Sequence, residues 1–149
     1  MKRDLRFWLA TWFGVGLTPR APGTAGSLAA LPLALLLARW GPLAWMVAAA
    51  VLTLIGVWAA QGVATQARQH DPQIVVIDEV AGQLLTLVGI GHGGWPWWLA
   101  ALLTFRLLDQ TKPWPIRRME YLHHSGWAIM LDDVLAGSVG AALLWLLRT

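Results

Sequence analysis

The sequence has no cysteine and little charge. Charged residues make up only 13% of its 149 residues, about half the share found in soluble domains. The absence of cysteine excludes a disulfide framework and thiolate chemistry. The chain is instead apolar: 57% of the residues are hydrophobic, eleven are Trp, and the mean hydropathy is positive. Because Trp is enriched at the bilayer interface, we expect a small integral membrane protein.

Five apolar segments follow a basic N-terminal stretch, at about 26–40, 43–64, 74–90, 95–108 and 127–147. Only the second and the fifth comfortably reach the roughly 20 residues that a spanning helix needs, so the others are predicted to pack inside a bundle. No alternating barrel pattern is present, and helices satisfy the backbone in lipid. The sequence therefore predicts an all-α fold: one compact membrane domain over 1–149, with about four to five embedded helices and a short N-terminal interfacial helix.

Basic residues mark alternate connections between these segments. The flanks 1–25, 65–73 and 109–126 hold four, one and three Lys or Arg, whereas the intervening flanks hold Arg39 and none. By the positive-inside rule, the N-terminus and these flanks face the cytoplasm. The polar connections are therefore expected to meet on one face of a multi-pass protein.

Two acidic pairs interrupt the apolar segments. Asp78 and Glu79 lie in IVVIDEVAG, and Asp132 and Asp133 lie in AIMLDDVLAG. Small residues follow each pair, which predicts two closely facing helices. A buried carboxylate is costly unless it is paired, neutralised or bound to a metal, and oxygen ligands suit Mg²⁺ or Mn²⁺. We expect these four carboxylates to hold a metal; buried ion pairs with nearby arginines are the alternative.

A basic and acidic helix face precedes the second pair, in FRLLDQTKPWPIRR. Arg106, Asp109 and Lys112 follow one another at spacings of three, so they fall near one face of a helix. This face suits a phosphate clamp in which Asp109 is a further metal or proton ligand. Arg117 is a further substrate-binding candidate. The alternative is an ordinary salt bridge with positive-inside charges.

A Pro- and Gly-rich loop and several histidines complete the polar inventory. In GLTPRAPGTAGSLAALP, Thr24 or Ser27 is predicted to cap the following helix, where they would also offer donors to an anion. A plain helix cap is the simpler interpretation. His124, eight residues before Asp132, is a candidate proton donor to a leaving group. The role of His70 stays open.

Four blocks together resemble the phosphatidylglycerophosphatase A family of bacterial membrane lipid phosphatases: GLTPRAPGTAGSLAALP, DPQIVVIDEVAGQ, FRLLDQTKPWPI and HSGWAIMLDDVLAG. The resemblance implies Mg²⁺-dependent hydrolysis of phosphatidylglycerophosphate to phosphatidylglycerol and phosphate at the inner membrane. Its partners would be this anionic phospholipid and the bilayer, with no nucleic acid; the oligomeric state stays open.

Two other functions are compatible with intramembrane carboxylates. A CDP-alcohol phosphotransferase also binds metal with aspartates, although its D-G-x-x-A-R signature is absent. A cation or proton transporter would place its acids near the membrane midplane, with broken helices and repeats.

Overall fold

Helices make up nearly all of the regular structure. The computed structural model describes residues 1–119 and 126–149, and in these ranges it has seven α-helices and no strand. They are α1 (Leu5–Ala10), α2 (Pro22–Leu37), α3 (Pro42–Ala67), α4 (Ile77–Val88), α5 (Trp95–Thr111), α6 (Ile116–Met119) and α7 (Gly126–Arg148), with 3₁₀ turns at Val15–Leu17 and Ala38–Trp40. The predicted all-α class is confirmed.

The helix α4 lies at the centre of the bundle. Its 12 residues rise by only about 18 Å, too little to cross the hydrocarbon core of a bilayer. It packs against α2, α3, α5 and α7, and nine of its residues are buried. The prediction that the short third apolar segment packs inside the bundle is confirmed.

Three helical stretches of the described chain are long and apolar enough to cross a membrane: Pro22–Trp40, Pro42–Ala67 and Gly126–Arg148. The sequence analysis expected this length only for the second and fifth segments, which is wrong for the first. The helix of this first apolar segment, α2, begins at Pro22, four residues before the predicted start. It continues through a 3₁₀ turn to Trp40. Exposed leucines such as Leu54, 64% exposed, suit contact with lipid.

The start of α2 is set by a proline. Pro22 occupies the first turn of this helix, where its fixed φ suits the helix and its missing N–H costs no hydrogen bond. Ala21 precedes it, and no side chain caps the helix. The prediction that Thr24 or Ser27 caps this helix is therefore wrong. Both residues lie inside α2, where the Ser27 hydroxyl donates to the Gly23 carbonyl at 3.1 Å.

Facing glycines bring α4 and α7 together. A Cβ on Gly137 would strike the Gly82 carbonyl, and one on Gly82 would meet the Phe105 ring and the Asp133 carbonyl oxygen at 2.6 Å. The Thr86 hydroxyl donates to the Gly82 carbonyl at 3.0 Å and lies 3.4 Å from the Gly137 carbonyl. Small residues allow such approach, and the predicted pairing of the two acidic helices is confirmed.

Each end of the bundle is tied by hydrogen bonds between elements. At one end, the Val76 N–H donates to the Ala10 carbonyl at 2.8 Å, so α1 holds the chain where α4 begins. At the other end, Arg148 donates to the Ile90 carbonyl, and its guanidinium lies 5.6 Å from the centre of the Trp97 ring. These contacts fix the position of α4 along its own axis, relative to the helices around it.

Candidate active site

An open cavity of about 520 Å³ lies at the end of the bundle where α2, α4 and α7 begin and α5 ends. The segment between α3 and α4 completes its wall. Among the described residues, its charged lining consists of six carboxylates and two permanent cations: Asp71, Asp78, Glu79, Asp109, Asp132, Asp133, Arg106 and Lys112. The expected meeting of the polar connections at one end of the bundle is confirmed.

Three of these carboxylates are grouped closely enough to share a cation. Asp78, Glu79 and Asp133 each offer an oxygen, and the three oxygens lie within 4.8 Å of one another. Asp78 and Glu79 stand in the first turn of α4, and Asp133 stands on α7 opposite them. Only 7% of Asp78 and 4% of Asp133 is exposed. Oδ1 of Asp78, Oε2 of Glu79 and Oδ2 of Asp133 have no hydrogen-bond partner among the described residues.

Asp109 lies beside this group. Its carboxylate lines the same cavity, and its Oδ2 accepts from Nη1 of Arg106 at 2.5 Å. The i,i+3 contact that the sequence predicted on α5 is therefore present. We call Asp78, Glu79, Asp109 and Asp133 the four-carboxylate cluster.

Asp132 stands differently from its neighbour Asp133. Its Oδ2 accepts from the Lys112 ammonium at 2.5 Å, and it lies outside the group of three oxygens described above. The sequence analysis grouped Asp132 with Asp78, Glu79 and Asp133. Asp132 and Asp133 differ in their surroundings because successive helical residues point about 100° apart. The assignment of Asp132 as a metal ligand stays a prediction.

Arg106 reaches the cavity beside the start of α2. A Cβ on Gly23 would lie 2.5 Å from Oε1 of Glu79 and 3.2 Å from both terminal nitrogens of Arg106. The Nε of Arg106 is buried and has no partner among the described residues. The first N–H groups of a helix have no partner within it, so α2 directs such donors, including that of Gly23, toward this end of the bundle.

The structure does not place the remaining predicted site residues in the cavity wall. Thr24, Ser27 and Arg117 are not among the residues that line the cavity, and Arg117 is exposed on α6. His124 lies outside the described residues. The catalytic and substrate-binding roles assigned to them stay predictions.

The sequence analysis assigned no role to several residues that the structure places in the cavity wall: His70, Asp71, Gln73 and Gln110. The signal for three of them is their position in HDPQ, which ends four residues before the first residue of the acidic helix α4. Gln110 follows Asp109 at the end of α5, where a polar residue carries no distinct signal.

The electrostatics of the cavity are strongly one-sided. Six carboxylates face two permanent cations among the described lining residues, which is a formal charge of −4 with His70 neutral. Ionised carboxylates in a space that excludes water repel one another and lose hydration. Oxygen ligands of this density fit Mg²⁺ or Mn²⁺.

Comparison with known proteins gives consistent results over most of the chain. The sequence profile described as phosphatidylglycerophosphatase A matches residues 8–148. The chain is 40% identical to "Phosphatidylglycerophosphatase A" of Escherichia coli (strain K12) over 140 residues, which covers 92% of this chain and 80% of that protein. It is also 40% identical to the protein of the same name from Haemophilus influenzae over 129 residues, covering 86% and 79% of the two chains.

A third relative carries a different name. A Bacteroides thetaiotaomicron protein, provisionally named a phosphatidylinositol-3-phosphatase, is 38% identical over 157 aligned positions, which cover 99% of this chain and 98% of that protein. No solved structure matches the chain.

The crowding of carboxylates predicts that removing one charge stabilises the cation-free protein. We expect Asp133→Asn to raise the unfolding temperature in a chelator at pH 8 by about 3 °C, because relieving about 1 kcal/mol of repulsion has this effect at this chain length. The measurement is thermal unfolding in detergent, followed by Trp fluorescence. Asp4→Asn is the matched control, since Asp4 accepts from the Phe7 N–H at the start of α1 and is not among the residues that line the cavity, and Asn also caps helices. A lower unfolding temperature for Asp133→Asn would contradict the repulsion.

Proposed function

Because this chain belongs to the phosphatidylglycerophosphatase A family and is a phosphatase, we propose that it hydrolyses phosphatidylglycerophosphate to phosphatidylglycerol and inorganic phosphate with Mg²⁺ as cofactor. The observation that carries the proposal is the group of Asp78, Glu79 and Asp133, of which the two aspartates are buried, in a cavity that Arg106 also lines at one end of a membrane bundle. The position at one end also argues against a transporter, whose acids would lie near the midplane.

The residues present fit a divalent cation. Asp78, Glu79 and Asp133 would hold it, and the sequence adds Asp132 as a fourth ligand. When bound, Mg²⁺ polarises phosphoryl oxygens and lowers the pKa of water. The unpartnered buried oxygens of Asp78 and Asp133 support this assignment, since a buried charge without a partner is otherwise costly.

Arg106 and Lys112 would bind the non-bridging oxygens of the substrate phosphate. Arg106 uses one edge of its guanidinium for Asp109, and its fork can still present other donors to a phosphate. The Gly23 N–H at the start of α2 would add a backbone donor. Asp109 would orient Arg106 or take up a proton, and His124 would donate a proton to the departing glycerol oxygen.

The substrate is a phosphate monoester on a lipid headgroup. The basic residues on alternate flanks support a multi-pass protein of the bacterial inner membrane with its cavity facing the cytoplasm. The bilayer and the anionic phospholipid are its partners in this proposal.

The proposed activity predicts Mg²⁺-dependent phosphate release. Purified protein should release inorganic phosphate from phosphatidylglycerophosphate in the presence of Mg²⁺, and EDTA should abolish the release. Asp78→Asn should lower the rate by at least about 100-fold, because it removes a ligand charge, whereas exposed Asp4→Asn should not. Phosphatidic acid and phosphatidylinositol 3-phosphate complete the panel. Full activity in EDTA would contradict the role of Mg²⁺, and release from another lipid alone would contradict the substrate.

The proposed clamp predicts that Arg106 cannot be replaced by lysine. Arg106→Lys keeps the charge and loses the fork, so we expect turnover to fall by about 10-fold or more. Lys112→Arg should have a smaller effect, since Lys112 acts as a point charge. If Arg106 only supports Asp109, Arg106→Lys would be nearly silent, and exchanging the two side chains in Arg106→Asp with Asp109→Arg would restore activity. Steady-state phosphate release distinguishes these outcomes.

The proposed orientation predicts which positions a membrane-impermeant thiol reagent can reach. The chain has no cysteine, so single cysteines are unambiguous reporters. Cysteines at Arg20, Gln69 and Arg117 should be protected in intact cells, and one at His92 should be labelled. The four native residues are exposed. Labelling of the first three, with protection at the fourth, would invert the proposed topology.

A further inference from the structure

A second cavity, of about 480 Å³, lies beside the carboxylate-lined cavity described above. Its wall is formed by Met1, by Ala67 at the end of α3 and by the segment that joins α3 to α4. Two residues of this segment, Asp71 and Gln73, line both cavities. The two cavities therefore adjoin, and these two residues stand at the junction between them.

The backbone at the junction is held from two sides. The Val76 N–H donates to the Ala10 carbonyl at 2.8 Å, and a Cβ on Gly16 would strike the Ile74 carbonyl, so both α1 and the following 3₁₀ turn pack on the segment. Pro72 is buried, whereas its neighbours on either side are exposed. Because the backbone is fixed here, the side chains of these two neighbours stay directed at the cavities.

The chemistry of the junction suits a hydroxyl group. The Gln73 amide can donate and accept hydrogen bonds, and the Asp71 carboxylate can accept them. Gln69 adds a second amide to the second cavity, whose described lining includes no Lys or Arg. A phosphate favours cations, and in the described lining these are Arg106 and Lys112 of the carboxylate-lined cavity. The junction therefore fits the uncharged part of a headgroup, next to where a phosphate would bind.

We propose that Gln73 and Asp71 bind the free hydroxyl of the alcohol that carries the substrate phosphate, and that Gln73 determines specificity for this alcohol. In phosphatidylglycerophosphate, the carbon that bears this hydroxyl is bonded to the carbon that bears the terminal phosphate. A phosphate beside Arg106 therefore brings the hydroxyl close to the wall that the two cavities share. The inference rests on the proposed function, because it names the part of that substrate that the junction recognises.

The exposure of the junction sets the size of the effect. Gln73 is exposed, so water competes for its amide, and one neutral hydrogen bond in such a place changes kcat/KM by about 5-fold. A fully buried site would reject a substrate without the hydroxyl by several orders of magnitude. We therefore expect a moderate preference for the hydroxyl-bearing lipid.

The test compares two lipids that differ by one hydroxyl: phosphatidylglycerophosphate and its analogue built on 1,3-propanediol. The full chain is assayed with Mg²⁺ in mixed micelles, and kcat/KM for phosphate release is measured for each lipid. The unaltered protein should favour the hydroxyl-bearing lipid by about 5-fold. In Gln73→Leu the ratio should fall to about 1, because leucine has no hydrogen-bonding group.

A purely structural role of Gln73 would lower both rates together and leave their ratio unchanged. Gln66→Leu is the matched control and should keep the ratio, since Gln66 is an exposed glutamine on α3 that lines neither cavity.

The outcomes separate this inference from the proposed function. Equal kcat/KM for the two lipids in the unaltered protein overturns the hydroxyl site and leaves the phosphatase intact. A preference that persists in Gln73→Leu overturns the assignment to Gln73. No phosphate release from either lipid overturns the proposed function, and this inference with it. If Gln73→Leu does not fold, Gln73→Asn, which keeps the amide on a shorter side chain, should lower the ratio, and an unchanged ratio contradicts the assignment.

Discussion

Carboxylates that share one buried space constrain the whole end of the bundle where α4 and α7 begin. Asp78, Glu79, Asp109 and Asp133 come from three helices and line one cavity, and oxygens of three of them lie within 4.8 Å of one another, where like charges repel strongly. Folding must therefore supply packing energy elsewhere to hold them. The apolar cores around Ala30, Ala81 and Phe105 surround α4 and supply it. This packing energy offsets the repulsion among the carboxylates, which is relieved only when a positive charge binds.

Glycines make this arrangement possible because they set how closely the helices approach. Gly137 and Gly82 let α7 lie against α4, so that Asp133 stands opposite the acidic first turn. Gly23 does the same for α2, whose first turn reaches Glu79 and Arg106. A side chain at any of these positions would separate elements whose charged groups act together. In this protein, close helix packing and the chemistry of the cavity depend on the same residues.

Much of this architecture could be predicted from the sequence, and the exceptions have physical causes. The helical class, the buried position of α4 and the convergence of the polar connections follow from apolar run lengths and charge placement. The start of α2 could not be placed, because Pro22 at the first turn removes the need for the Thr24 or Ser27 cap that the pattern suggested. The different surroundings of Asp132 and Asp133 were also beyond the pattern. Adjacent carboxylates look alike in the sequence, whereas the rotation between Asp132 and Asp133 places one beside Lys112 and the other beside Asp78 and Glu79.

The depth of the carboxylates fits a substrate that stays in its bilayer. Trp127 is 45% exposed, and indoles favour the level of the lipid headgroups. Asp132 follows five residues later on the same helix, which places it about 7.5 Å farther along the axis. On α5, the exposed Leu107 lies between Arg106 and Asp109, so apolar surface continues beside the charged wall of the cavity. A phosphate carried on a lipid headgroup can reach this level while its acyl chains remain among the apolar side chains, so the membrane itself keeps the reacting group near the cluster.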